Sequence, residues 1–184
     1  ARTMTLRIPA PRGLITDRNG KPFAQNRGGY QFAIQFAHFP DPVDAEIIAW
    51  ARERLTHASR LAGRDYRVTD EVFLSHYKNR RWLPLIFAAS LVPPDREESF
   101  KKQLIPGLVM HPIYHRHYPG GPSAAHIIGY VRSRGRLSNG PIVHGDLVFE
   151  DTYGDAGLEK TMDQELTGRP GERKVIFDSG GRKL

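Results

Sequence analysis

The spacing of apolar and polar residues predicts three strands. Residues 31–36 alternate, which would place their apolar side chains on one face of a strand. The apolar run 82–91 favours a second strand, which is either buried on both faces or lies at a sheet edge near Pro84. The stretch 108–118 predicts a third strand.

A period of three to four residues predicts helices between and after these strands. Asp41 would cap the first helix with Pro42 at its first position, and Gly63 would end it. Thr69 would cap a second helix. Three further helices are expected at 96–104, 123–128 (capped by Ser123) and 158–166. Mixed strands and helices without an internal repeat indicate the α+β class.

Composition narrows the class of protein further. The 184 residues include 18 glycines and 14 prolines, and 39% of them are hydrophobic. This composition predicts a folded, loop-rich and elongated module. It contains no cysteine, which excludes a disulfide framework and thiol chemistry. Its longest apolar run, 83–92, is too short to span a bilayer.

The net charge of +7 is compatible with a nucleic acid, an anionic lipid or an anionic polymer as partner. The sequence shows no zinc-finger spacing, no RNP strand and no helix-turn-helix pattern, so we expect no nucleic-acid partner. A basic module that binds a polyanion or a nucleic acid stays open as an alternative function.

The most specific pattern is P-R-G-x-I-x-D-R-x-G-x-x-x-A-x-N over residues 11–26. Gly13 can adopt positive φ, and the Asn-Gly pair that ends at Gly20 strongly favours a turn. Arg12, Asp17 and Arg18 carry charges that can pair across this turn. Taken alone, the segment would be an ordinary charged hairpin.

Four further motifs follow along the chain. They are R-H-Y-P at 116–119, A-A-H-I-I-G-Y-V at 124–131, G-D-A-G-L-E at 154–159 and L-T-G-R-P-G at 166–171. In this order the five motifs resemble the N-terminal pedestal, or dimerisation, domain of class B penicillin-binding proteins, of the elongation type similar to penicillin-binding protein 2. The resemblance extends from about Arg7 to Arg182 and is weakest between about 39 and 106.

The resemblance implies a fold and a role. Residues 1–40 and 105–184 would form a stalk of strands, and 41–104 an inserted head lobe that contains helices. The chain would catalyse nothing and need no cofactor. It would position the transpeptidase domain of a parent protein that cross-links peptidoglycan. By resemblance, its partners would be a membrane glycan polymerase and a cell-shape scaffold protein. The parent would be anchored in the inner membrane with this part in the periplasm, and a dimer is possible.

The resemblance also assigns structural roles to motif residues. They are Arg12, Gly13, Asp17, Arg18, Gly20, Arg116, Tyr118, Pro119, Gly157 and Glu159. We hypothesise that a carboxylate of this set accepts a bidentate arginine and thereby clamps the two ends of the chain together. In the head lobe, four aromatic residues are candidates for a contact surface, unless most of them belong to the core: Trp50, Phe73, Trp82 and Phe87.

Ser99-Phe100-Lys101-Lys102 fits the S-x-x-K pattern of penicillin-reactive serines. The surrounding helix is highly charged, no S-x-N triplet follows, and Lys160-Thr161-Met162 is not K-T-G. We therefore expect no catalytic residue, and acylation at Ser99 stays open as an alternative.

Histidines and paired acids are the remaining candidates for chemistry. His111, His115 and His117 share one parity on the predicted strand and could supply zinc ligands. Since no carboxylate or cysteine lies close to them in sequence, we favour a structural or surface role and expect no metal. The acid pairs Glu150-Asp151 and Asp163/Glu165 are expected to be solvated.

Overall fold

The computed structural model of the protein describes residues 2–36, 39, 42–134 and 140–177. The strands are β1 Arg2–Ile8, β2 Ile15–Thr16, β3 Pro22–Ile34, β4 Leu85–Ile86, β5 Leu108–His117, β6 Val131–Ser133, β7 Thr152–Gly154 and β8 Gly171–Phe177. The helices are α1 Asp44–Ala62, α2 Asp70–Arg80, α3 Glu97–Lys101, α4 Ala125–Ile128, α5 Gly157–Thr161 and α6 Asp163–Thr167. This mixture confirms the α+β class.

The chain divides into two compact units. The first unit comprises 1–27, 114–138 and 143–184, and the second comprises 28–113 and 139–142. The predicted head lobe, 41–104, falls within the second unit. Its role as a head on a stalk stays a prediction.

In the second unit, α1 and α2 contribute apolar faces to cores that also include the end of β3 and β4. The alternating segment 31–36 is extended as far as Ile34, and its apolar residues are buried. Glycine ends α1 as predicted, since Gly63 has φ of 63°. Thr69 is the N-cap residue of α2, also as predicted.

The start of α1 differs from its prediction. Asp41 lies outside the described residues, and the helix begins at Asp44, so Pro42 is not its first residue. Val43 holds the N-cap position in an extended conformation, and its N–H donates to the carboxylate of Glu46 at 3.4 Å. This contact satisfies a backbone donor at the helix entrance without a side-chain cap.

The predicted strand 82–91 is mostly wrong, because only β4 within it pairs with β3. Beyond β4, single backbone hydrogen bonds, such as Val92 N–H to Tyr30 O at 2.8 Å, hold a loop instead of a ladder. The helix expected over 96–104 is shortened to α3, which follows a 3₁₀ turn at Pro94–Arg96. The third predicted strand, 108–118, is confirmed as β5.

In the first unit, β1 and β8 form an antiparallel pair from Arg2↔Phe177 to Ile8↔Gly171. Met4, Leu6 and Val175 of this pair have buried side chains. A second pair joins β6 to β7. Among the described residues, no helix is long and apolar enough to cross a membrane.

Two helix predictions in the first unit need correction. The single helix over 158–166 is two short helices, α5 and α6, broken at Met162. The break accompanies a hydrogen bond from the N–H of Gly154 to the carboxylate of Asp163 at 2.7 Å. Ser123 does not cap α4, because Ala124 holds the N-cap position with a left-handed φ of 59°.

Candidate functional site: a buried ion cluster

Glu159 is the centre of a buried ion cluster in the first unit and is 0% exposed. Arg12 Nε donates to its Oε2 at 2.6 Å, and Arg116 Nε donates to its Oε1 at 2.7 Å. The predicted contact between a carboxylate and the arginines of distant motifs is therefore present. The geometry of the contact differs from the prediction, because two arginines each donate to one oxygen of the carboxylate, whereas a single bidentate arginine was expected.

The remaining donors of the two arginines hold the surrounding backbone. Arg12 Nη2 donates to the backbone oxygen of Glu159 at 2.8 Å, and its Nη1 lies 2.8 Å from Asp163 Oδ1. Arg116 Nη1 donates to the backbone oxygen of Gly13 at 2.7 Å. Residues that are more than 140 positions apart in the chain are thus joined through one carboxylate.

Electrostatics in the cluster follow from its burial. Tyr118 places its hydroxyl 3.4 Å from Glu159 Oε1, and burial together with the charge of Glu159 raises the pKa of Tyr118. Burial opposes ionisation of Asp163, but hydrogen bonds from Gly154 and Arg12 outweigh it and lower the pKa of that carboxyl. A buried cation that lost its carboxylate would be left uncompensated, so each charge requires the others.

Close backbone packing explains three glycines of the motifs. A Cβ on Gly154 would overlap the carbonyl of Glu159, and one on Gly129 would overlap the carbonyl of Ala156. A Cβ on Gly157, whose φ is +57°, would overlap the backbone of Ile127. The G-D-A-G-L-E and A-A-H-I-I-G-Y-V motifs therefore pack backbone against backbone, which only glycine permits at these positions.

The other motif residues lie around the cluster or apart from it. Gly13 donates its N–H to Leu166 O at 2.7 Å. Asp17 accepts the N–H groups of Asn19 and Lys21 at 2.8 and 2.9 Å, so it shapes the turn and does not join the cluster. Gly20 has a φ of 82° in this turn, as its position predicts. Arg18 and Pro119 are exposed.

One residue of the site was assigned wrongly from the sequence. Asp163 was expected to be solvated, but it is half-buried and pairs with Arg12. The available signal was its spacing, since Asp163 lies four residues after Glu159 and such residues share a helix face. Asn26 was quoted in the first motif without a role, and its side chain contacts the backbone oxygen of Arg12.

The four aromatic candidates of the second unit separate into two groups. Phe73 is 0% exposed within the core, so the structure contradicts a surface role for it. Trp50, Trp82 and Phe87 are half-buried. Trp50 carries the guanidinium of Arg54 3.8 Å from its ring centroid. A contact surface that includes these three residues stays a prediction.

The other candidates for chemistry occupy ordinary surroundings. Ser99 is exposed, and its Oγ accepts the amide of Gln103 at 3.1 Å. Nearby, Lys101 pairs with Glu98 at 3.0 Å. Within residues 2–36, 39, 42–134 and 140–177, no three histidine or carboxylate side chains are grouped as metal ligands. Of the acid pair at 150–151, Asp151 is half-buried and pairs with Arg134 at 3.0 Å.

Known proteins are similar to this chain in sequence and in fold. The sequence model of the penicillin-binding protein dimerisation domain matches residues 7–184. Peptidoglycan D,D-transpeptidase FtsI of Escherichia coli K12 is 28% identical over 187 residues, which cover 96% of this chain and 26% of that protein. Peptidoglycan D,D-transpeptidase MrdA of Haemophilus influenzae is 25% identical over 197 residues, which cover 100% of this chain and 28% of that protein. The chain thus spans about a quarter of the length of these relatives.

Solved structures share the fold. Penicillin-binding protein PBP2 of Helicobacter pylori, in its complex with MreC, superposes with a TM-score of 0.63 at 20% identity, covering 100% of this chain and 33% of that one. Penicillin-binding protein 2B of Streptococcus pneumoniae gives 0.61 at 14% identity, with coverage of 100% and 38%. Relatives named FtsI and MrdA both match, and the elongation type stays a prediction. The family match over 7–184 and the shared fold lead to one conclusion: the chain belongs to the dimerisation domain family of class B penicillin-binding proteins.

Proposed function

We propose that this chain is the non-catalytic pedestal of a longer D,D-transpeptidase and that it positions the catalytic domain for peptidoglycan cross-linking. The observation that carries the proposal is the buried ion cluster around Glu159, which joins segments near both ends of the chain. Such a cluster suits a support that must keep one shape. The relatives named above are transpeptidases of which this chain matches about a quarter, which supports the same role.

The test of this role uses the full-length protein. Deletion of residues 1–184 is expected to preserve acylation of the catalytic domain by a fluorescent penicillin and to abolish rescue of a depletion strain. Rescue by the catalytic domain alone would contradict a positioning role. The full-length protein at matched expression, detected by the same label, is the control.

Absence of catalysis in this chain is a separate part of the proposal. Ser99 is exposed, and its hydroxyl accepts a hydrogen bond from the side chain of Gln103. A serine nucleophile needs instead a neighbouring base that takes its proton. Incubation with a fluorescent penicillin is expected to leave the intact mass of the chain unchanged. An adduct that disappears in the Ser99→Ala variant would establish the acylation alternative instead.

The proposed partners are a cell-shape scaffold protein and a membrane glycan polymerase, met in the periplasm by a parent anchored in the inner membrane. PBP2 of H. pylori was solved in a complex with MreC, and its fold is shared by this chain, which supports the scaffold protein as a partner. We expect Trp82→Ala and Phe87→Ala to weaken binding to the MreC protein of the same organism about tenfold, the equivalent of ~1.4 kcal/mol. Unchanged binding would exclude this surface as the MreC contact.

A polyanion-binding role would show instead as binding to heparin that decreases steeply with salt.

A further inference from the structure

The parts of β3 and β5 that belong to the first unit carry different chemistry on their two faces. The two strands pair with each other, and side chains alternate between the faces of a strand. Asn26 of β3 and Arg116 of β5 point to the same face, because Arg116 Nη1 donates to Asn26 Oδ1 at 3.4 Å. That face belongs to the buried ion cluster. The neighbouring residues Arg27, His115 and His117 therefore point to the opposite face.

The opposite face holds basic groups without an acidic counterpart. Arg27 is exposed, and its charge acts on His115. Burial, with further contributions from the ring of His117 and from Arg27, lowers the pKa of His115. Among the described residues, no carboxylate contributes to this shift. The ion cluster on the first face, in contrast, balances its arginines with Glu159 and Asp163.

The ring of His115 is arranged to donate a hydrogen bond away from the protein. His115 is half-buried, and its Nδ1 is buried without a hydrogen-bond partner among the described residues. A neutral imidazole carries one proton, and a buried N–H without an acceptor is costly. The proton of neutral His115 is therefore favoured on Nε2, which can donate it to an anion. At lower pH the ring gains a second proton and a positive charge.

We propose that Arg27, His115 and His117 form a binding site for an anion of the phosphate class. An arginine fork matches the oxygens of a phosphate, and imidazole N–H groups supply further donors. The two histidines lie two residues apart on β5, about 6.6 Å along the strand, so both rings are within reach of one ligand. A free phosphate and the headgroup of an anionic lipid offer the same oxygens. The inference does not depend on the proposed pedestal function.

The charge of Arg27 favours an anion over the other ligand that a histidine pair suggests. Two histidines of one parity could also supply ligands to zinc. A divalent cation beside the guanidinium of Arg27 would be repelled, whereas a phosphate is attracted by it. In the described part of the chain, no third histidine or carboxylate is grouped with the two rings as a metal ligand. The face therefore suits a phosphate better than a metal ion.

Histidine ring signals in NMR spectra of the chain test this binding. Trimetaphosphate is the probe for a free phosphate, because its charge is the same at every pH used. We expect the signals of His115 and His117 to shift saturably at constant ionic strength, while that of the exposed His126 stays unchanged. A bound anion favours the charged imidazole, so the pKa of His115 should rise on binding. By the same linkage, binding should be about tenfold tighter at about pH 5.5 than at about pH 8.

Matched variants separate a site from general attraction to a basic chain. Arg27→Gln removes a charged donor and should weaken trimetaphosphate binding about tenfold. Arg18→Gln, at another exposed arginine of the first unit, should leave the binding unchanged. Because both positions are exposed, both variants should unfold like the original protein. Sedimentation with phosphatidylglycerol vesicles, compared with phosphatidylcholine vesicles, tests the lipid headgroup with the same two variants.

The outcomes distinguish the two sources and can refute both. Saturable binding of trimetaphosphate that requires Arg27 would support a site for free phosphate. Binding of phosphatidylglycerol vesicles alone that requires Arg27 would support a lipid headgroup. Equal losses in Arg27→Gln and Arg18→Gln would overturn the proposal, because the attraction would then be unspecific. Absence of binding by both probes would also overturn it, and Zn²⁺ binding that becomes tighter in Arg27→Gln would then identify a metal site instead.

Discussion

The two units differ in what fills their interiors. In the second, aromatic and aliphatic side chains dominate, with Phe73 packed beside Phe36 and Tyr77 in one cluster. Its buried cations, Arg54 and Arg80, donate to backbone carbonyl oxygens, and Arg54 also pairs with the exposed carboxylate of Glu53. In the first unit, Glu159 is among the largest fully buried side chains, and two arginines surround it.

This difference predicts different tolerance to substitution. Apolar cores accept changes that preserve volume, because dispersion and burial have little directional requirement. A buried ion cluster accepts few changes, since removing one charge leaves another desolvated and unpaired. We therefore expect the first unit to depend on residue identity and the second on residue size.

The largest expected effect comes from Glu159→Gln, which preserves shape but removes the negative charge between Arg12 and Arg116. Loss of one partner of a buried pair costs about 3–5 kcal/mol of the free energy of unfolding. Urea denaturation of the chain measures this change. The control Glu165→Gln, at an exposed position nearby, should remain within about 0.5 kcal/mol of the original protein. Similar stability of both variants would contradict a structural role for the ion cluster.

Backbone packing in the first unit is expected to be nearly as sensitive. Gly154→Ala would force a Cβ into the carbonyl of Glu159, and such overpacking costs about 1–3 kcal/mol. Gly28→Ala is the control, because a Cβ there meets nothing within 4 Å and the backbone is not left-handed. Thermal unfolding followed by circular dichroism compares the two. Equal midpoints would show that the backbones move apart easily.

A conservative change in the second unit should cost less. Ile47→Leu retains both the apolar character and the volume of a core side chain, and such swaps usually cost below about 1.5 kcal/mol. The comparison with Glu159→Gln, measured in the same urea titration, tests whether identity or size matters in each unit. A loss at Ile47 as large as that at Glu159 would remove the distinction.

The smallest effect is a difference in pH dependence. Burial, aided by the charge of Arg80, lowers the pKa of His76 against the opposing hydrogen bond to Leu83 O. The unfolded chain then binds a proton more readily, so stability from this group is complete above about pH 6.5 and declines as pH falls below it. The lowered pKa of Asp163 acts at more acid pH: its contribution is present above about pH 3.9 and is lost below it.

Two variants separate these pH effects in unfolding curves measured from pH 8 to pH 3. His76→Gln keeps a donor toward Leu83 O. It should make the fall of the unfolding free energy below pH 6.5 less steep, by a slope that corresponds to at most one bound proton. Asp163→Asn should flatten only the more acid part. The exposed His126→Gln is the control for the first variant, and an unchanged profile in His76→Gln would contradict the assignment.

Prediction from the sequence succeeded for features that depend on neighbouring residues, such as helix ends. It failed for features that depend on contacts with distant parts of the chain. Gly63 and Thr69 delimit helices because a left-handed backbone and a cap act within one turn. The strand over 82–91 was overestimated, because its length depends on how much of β3 remains to pair with it. Asp163 was misplaced because the donors that hold it include Arg12, more than 150 positions away.

The sequence by itself determined the family, the α+β class and the cluster residues Arg12, Arg116 and Glu159, but not Asp163. It could do so because ordered motifs and short-range periodicity are properties of the chain alone. Only the tertiary structure decided that Glu159 is shared by two arginines, that the last helix breaks at Met162, and that Arg27 acts on His115. These features depend on which distant side chains meet and how completely they exclude water, and no local pattern encodes either.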